Sequence, residues 1–409
     1  MLIKDETIKP IFGLLIFSLF ATSVTVPNGA GISALLLFLI SAYYLATTSI
    51  SITLTKAEKV LIASMLAYPS VIAVNMLYHN NWTWGEFDYP VRYWLAAVVF
   101  IAVKAIKPSP KYLYVGAICS AIGAGIGALY QTEVLGIYRA YGLAEAQRIG
   151  FSLISLLSAM LALCAYKPLN NLNNWRFALI GLALIGGLYA SAMSGSRGGW
   201  IALPMYMWVL VNLSSKPSFG KQLALLSIML VVASVFYLNS AFIQARVDSV
   251  IPSIYTYFEK AVVSDSVSQR LELWKASWII FSSAPIFGNG MENFAPLLKE
   301  LVANNEISPI IQNVRNPHNE LFNILPEAGI IGAFFTFLPY LAFSWICNQH
   351  IKSNAPLAVA GLIFVIAHLD VGLSFAVMTL AMTSTIWTFG IAIIAGLLSQ
   401  HRPNEDQPT

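Results

Sequence analysis

The sequence predicts an all-α polytopic integral membrane protein, and three observations carry that reading. Of the 409 residues 57% are hydrophobic and 10% charged, with a mean hydropathy of +0.70, too apolar and too poor in charge for a soluble globular fold. Apolar runs near the length needed to cross a hydrocarbon core recur along the chain, about twelve in all. One long stretch, 241–318, interrupts them and is the only soluble-looking piece. The expected organisation is therefore spans one to nine with short loops over 1–240, a partly helical outer loop over 241–318, spans ten to twelve over 319–398, and a short polar tail at 399–409.

Taken in order, the spans fall at 10–26, 29–49, 59–78, 91–106, 112–131, 149–166, 177–194, 199–213, 222–240, 319–346, 355–372 and 376–398. The first follows Lys4 and Lys9 as a signal peptide would, but the many runs after it mark it as a retained span. The turns on one side hold Lys56, Lys59, Lys107, Lys111, Lys167, Arg176, Lys216, Lys221 and Lys352, which makes that side cytoplasmic and, with an even span count, puts both termini there. These lysines are spread over short loops and form no basic stripe, so the net charge of +4 does not indicate a nucleic-acid partner. Cys119, Cys164 and Cys347 lie in or at the ends of apolar runs without a CxxC spacing, which argues against disulfides and thiolate-bound metal.

The opposite face is rich in arginine instead. Its short loops hold Arg92, Arg139, Arg148 and Arg197, and the long loop adds Arg246, Arg270 and Arg315. Lysine suits topology, whereas the planar fork of arginine suits a bidentate grip on phosphate or carboxylate. A single arginine is explained as well by pairing with Glu133, Glu145 or Asp248; the group as a whole, set beside His318, reads as an anion site.

Within this frame each motif has a local meaning. The GxxxG spacing in Gly123–Gly127 is a helix-packing signal. Ser194–Trp200 holds Arg197 between glycines at a helix junction, where the backbone turns sharply and a ligand can come close. Ser266 to Gln269 fits a capping box, so a helix is expected to start there with Arg270 in its first turn and Leu271, Trp274 and Trp278 as a packing stripe. Pro285, Gly288 and Gly290 mark a turn, and no strand precedes them to suggest a nucleotide fingerprint. Asn316 has the side chain of a helix N-cap and Pro317 suits the first helical position, which places His318 in an opening turn whose dipole keeps an imidazole neutral.

Two rival constellations are weaker. Glu86 and Asp88, on an outer loop, could hold a divalent cation but read more simply as solvated acids, and His368 with Asp370 could form an orienting pair but read more simply as making a structural hydrogen bond or lining a cavity. No P-loop, nucleophile elbow or HExxH motif is present, and no cysteine and histidine metal spacing. An outer-face reaction without ATP needs a substrate that arrives activated, and clustered arginines suit a lipid-linked pyrophosphate. Glycosyl transfer from such a donor needs cations for the leaving group, which Arg197 and Arg270 can supply, and a base for the acceptor hydroxyl, which His318 can supply.

Arg197 in its glycine-flanked turn, the run Ser268 to Trp274 followed by Pro285 to Gly290, and His318-Asn319 ahead of Gly329 to Gly332 together resemble the bacterial O-antigen ligases. That superfamily also holds O-antigen polymerases and protein O-oligosaccharyltransferases. The resemblance implies a glycosyltransferase-C-like architecture in the bacterial inner membrane. It also implies metal-independent, cofactor-free, inverting transfer of undecaprenyl-pyrophosphate-linked O-antigen to lipid A-core at the periplasmic face. Carried onto this chain, His318 is the base and Arg197 and Arg270 the pyrophosphate clamp. Arg139, Arg148 and Arg315 join as substrate-binding residues by location, with Gln269 and Asn319 beside the clamp and the base. The expected partners are the two lipid-linked substrates and membrane lipids. The nearest alternatives are a polymerase, which adds the same donor to another lipid-linked chain, and a protein oligosaccharyltransferase, for which the polar tail after 398 is short. A polyprenyl-linked sugar transporter would place charges in mid-span, whereas here nearly all lie at span ends.

Overall fold

The computed structural model describes residues 5–400, apart from Glu145, Ala146, Arg197, Gly198, Ile201 and most of 216–247. No strand occurs among the described residues. The helices are α1 (Asp5–Ala21), α2 (Gly29–Thr47), α3 (Lys56–Tyr78), α4 (Trp84–Ile106), α5 (Lys111–Leu129), α6 (Arg148–Cys164), α7 (Trp175–Ser194) and α8 (Leu203–Ser215). They continue with α9 (Val250–Lys260), α10 (Ser266–Ser283), α11 (Phe294–Ala303), α12 (Glu320–Gln349), α13 (Ala355–Gly372) and α14 (Ala381–Leu398).

Among the described residues eight helices are long and apolar enough to cross a membrane: α2, α3, α4, α5 with the π-helical turn that extends it to Val134, α7, α12, α13 and α14. Against the twelve spans expected, the first and sixth are the shorter apolar helices α1 and α6, and the eighth is the 13-residue α8. The ninth, 222–240, lies mostly outside the described residues.

The short loops sort by charge onto two ends of the bundle. At one end the Lys104 ammonium meets the buried Glu58 carboxylate at 2.6 Å, Lys111 reaches Asn171, and Gln400 donates to Pro108 O, so the end of α14 lies there. Tyr112, at the start of α5, packs on Gly13 of α1. At the other end Arg92 bonds Asp88 and the first turn of α14 through Ser384 and Thr385, and Arg139 donates to Ser194 O at the end of α7. Helix contacts inside follow the small residues: a Cβ on Gly125 of α5 would lie 2.5 Å from the Cα of Gly186 in α7, whereas Gly123 and Gly127, the GxxxG pair, face Thr25 and Leu143 outside the helices instead of a neighbouring helix.

The bend of α12 is built by two glycine motifs facing each other. Gly329 sits at φ 65° and ψ −165°, a conformation closed to other residues, and interrupts the helix. The backbone groups freed there are met by the turn after α10: Asn289 N–H donates to Pro326 O, Gly290 N–H to Glu327 O, and Ile330 N–H to Pro285 O, each at 2.9 Å. A Cβ on Gly288 would lie 2.4 Å from the Glu327 carbonyl carbon, and one on Gly329 2.3 Å from Ile286 O. Asn75 of α3 ties the joint down by donating to Phe287 O at 2.6 Å.

The stretch after α8 has a small core of its own. Leu273, Ala276 and Ile280 of α10 pack on Phe294 and Leu298 of α11 and on Ile307 and Ile311, separately from the main bundle core. Glu86 and Asp88, expected on a loop, lie in the first turns of α4, which begins seven residues before the predicted span.

Candidate active site

Two helix starts differ from their sequence expectation. The cap of α10 is Asp265 rather than Ser266: its carboxylate accepts from Val267 N–H and Ser268 N–H, and the box closes through Ser268 Oγ, not Gln269. Arg270 is accordingly the fifth helical residue, past the first turn. The cap of α12 is Asn319, whose Oδ1 accepts from Phe322 N–H at 3.1 Å while its Nδ2 donates to Leu373 O at 3.0 Å. His318 stands before the cap instead of inside the helix, at φ 54°. Asn316 caps that turn, its Oδ1 accepting from His318 N–H at 3.2 Å. Asn316 and Asn319 are equally good caps by composition; the carbonyl offered by the end of α13 is what selects Asn319.

The imidazole of His318 is half-buried and tilted against Phe375 at 5.7 Å. Burial lowers its pKa, and the positive charge of Arg270 lowers it further, so desolvation and a guanidinium both favour the neutral base. Arg270 is itself half-buried, which pulls its pKa below the usual value while leaving it cationic, and no described carboxylate lies in salt-bridge range of it. Trp274, one turn along α10, joins the two: its indole N–H donates to Pro317 O at 3.1 Å and its ring stacks on Phe322.

Arg197 lies outside the described residues, but both flanks of its turn are placed. Gly195 ends α7 at φ 64° with Arg139 Nε packed where a side chain would stand, and Ser152 Oγ donates to Ser196 O. On the far flank Trp200 Nε1 donates to Ser191 Oγ at 3.0 Å, and Ala202 N–H donates to Asp370 Oδ2 at 3.1 Å. The end of α13 is therefore a shared abutment: Asp370 holds Ala202, and Leu373 O holds the cap beside His318. Asp370 and His368 make structural hydrogen bonds and line a cavity, as preferred from the sequence over an orienting pair: Asp370 accepts from Ala202 N–H, and His368 Nδ1 meets Phe364 O at 2.9 Å.

The remaining arginines divide. Arg139 is half-buried beside the Arg197 turn, in a loop folded around Gln131, whose side chain bonds the backbone of Tyr141 and Gly142. Arg148 and Arg315 are exposed at the same end of the bundle, and Gln269 is half-buried next to Arg270. Arg92 is engaged in holding α4 to α14 and takes no part in the group. Next to Asn319 a cavity of about 350 Å³ runs between α8, α12 and α13, lined by Met205, Leu321, Phe337 and Leu369, with Asp370 and Glu320 at its polar end.

An uncharacterized protein of Haemophilus influenzae is 23% identical to this chain over 376 residues, 90% of this chain and 93% of that one. A family model described as O-antigen ligase matches residues 182–337, a segment that includes Arg197, Arg270 and His318. Together with the apolar helices this match points to a multi-pass membrane protein and supports the superfamily of O-antigen ligases, with glycosyl transfer of the ligase or polymerase type.

Proposed function

We propose that the protein is an O-antigen ligase that transfers a glycan from undecaprenyl pyrophosphate to a sugar hydroxyl of lipid A-core at the periplasmic face of the inner membrane. The observation that carries this is a half-buried Arg270, in salt-bridge range of no carboxylate among the described residues, acting on a half-buried His318 whose pKa burial and that arginine lower, inside the family-matched segment and beside an apolar cavity. A cation without a carboxylate suits a substrate anion, and a neutral imidazole suits an acceptor hydroxyl.

In the step proposed, one nitrogen of His318 takes the proton of the acceptor hydroxyl as its oxygen attacks the anomeric carbon. The bond from that carbon to the pyrophosphate oxygen breaks, its electron pair leaves on the pyrophosphate, and the configuration inverts. Arg270 and Arg197 stabilise the departing anion, each charge-assisted bond contributing roughly 1.5–3 kcal/mol. Arg139, Arg148 and Arg315 supply a wider positive field, and Gln269 and Asn319 border the reacting groups. The cavity between α8, α12 and α13 takes part of a lipid chain, its apolar wall replacing contact with the bilayer.

The test is complementation of a ligase-deficient strain, read as lipopolysaccharide ladders. Wild type is expected to restore the ladder, and His318→Ala and Arg270→Ala, inserted at normal levels, to fail. Restoration by His318→Ala removes the base assignment. Rescue of chain lengthening in a polymerase-deficient strain instead reassigns the acceptor to a second lipid-linked chain.

A further inference from the structure

We propose that Trp274 is the positioning residue that sets the His318 turn against Arg270. The inference rests on the function proposed for those two residues and adds the part that holds them in register. Arg270 and Trp274 are four residues apart on α10 and so share a face. From that face the indole grips the chain on both sides of the histidine: its N–H donates to Pro317 O at 3.1 Å, and its ring stacks on Phe322 at 5.4 Å and 13°.

His318 needs such a grip. A non-glycine residue at φ 54° is strained unless its surroundings over-determine it. Asn316 and Asn319 act from within the same turn, whereas Trp274 ties the turn to the helix that carries the cation. Trp278, one turn further along α10, is 57% exposed and leans on Phe281, as a tryptophan used for packing alone does.

Among the described residues the charged and titratable groups around the turn are few. Arg270 faces His318 from α10, Glu320 at the start of α12 is engaged with Met378 N–H, Arg315 is exposed, and the loop after α13 presents the uncharged ring of Phe375. Moving the turn away from α10 therefore removes chiefly the influence of Arg270.

Trp274→Phe keeps a ring on Phe322 and deletes the N–H; Trp278→Phe is the control. In the full-length protein in lipid nanodiscs, His318 is titrated by histidine carbon NMR, assigned with His318→Gln, and transfer kinetics are measured on the same samples. Trp274→Phe is expected to raise the His318 midpoint and to lower kcat about 3- to 10-fold, with KM for the lipid-linked donor changed by less than about twofold. The control is expected to change neither. An unchanged midpoint and kcat in Trp274→Phe, or a loss of rate that only follows the amount of folded protein, overturns the proposal. If the midpoint moves while the wild type transfers nothing from a polyprenyl-pyrophosphate donor, the positioning role stands and the function proposed above fails.

Discussion

At the scale of the residue, Arg92 and Arg270 show how one side chain type serves two ends. Arg92 is closed into a network with Asp88, Ser384 and Thr385, so Arg92→Met is expected to destabilise the protein by about 2 kcal/mol, seen as a lower unfolding temperature, with unchanged transfer per folded molecule. Arg270 has no such closure, and Arg270→Gln is expected to have the opposite profile, near-native stability and lost transfer. It also acts on His318. Because burial and Arg270 both lower that pKa from 6.5, the imidazole is neutral at pH 7, and activity that needs it neutral is kept above the lowered value and lost as pH falls through it. The acid limb of the pH profile is thus expected below pH 6.5, and an NMR titration of Arg270→Gln is expected to place His318 higher than in wild type. An acid limb at or above 6.5 in the wild type contradicts this account of the base.

At the scale of the element, the joint between the Pro285–Gly290 turn and the bend of α12 is a backbone structure. Gly329→Ala meets both a left-handed φ and a carbonyl 2.3 Å from the new carbon, and is expected to cost at least about 1–3 kcal/mol. Gly181→Ala, in α7 with open space around it, is expected to stabilise by roughly 0.5–1 kcal/mol, and thermal melts of the two in detergent check the contrast. The same elements show what was legible in the sequence. Hydropathy located α2, α3, α5, α7, α12 and α13 within a few residues of their ends, because each is long and apolar, and missed the starts of α4 and α14 by seven and five residues. Cap positions were less legible: Asp265 and Asn319 were displaced by neighbours of equal capping ability, and the choice between them was made by partners distant in the chain. Asp370 reaches Ala202 across 168 residues and Trp274 reaches Pro317 across 43, separations that no local pattern reports.

At the scale of the molecule, the Lys104–Glu58 pair and the Arg270–His318 site lie at opposite ends of one helical bundle, and the first contributes stability where the second is proposed to contribute chemistry. Lys104 lies 2.6 Å from a Glu58 that is 2% exposed. Lys104→Met strands a buried carboxylate and is expected to cost about 3–5 kcal/mol, most of it recovered when Glu58→Gln is added, as a double-mutant cycle of unfolding free energies will show. At the other end, Ala202 on the flank of Arg197 and the cap beside His318 bond to Asp370 and Leu373, three residues apart at the end of α13. The most direct test of a pyrophosphate-clamping, hydroxyl-activating site there is transfer by the purified protein in proteoliposomes, from a labelled undecaprenyl-pyrophosphate glycan to lipid A-core without ATP. Label is expected on lipid A-core with wild type and not with His318→Ala or Arg270→Ala of equal stability, and equal transfer by the wild type and either variant contradicts the account.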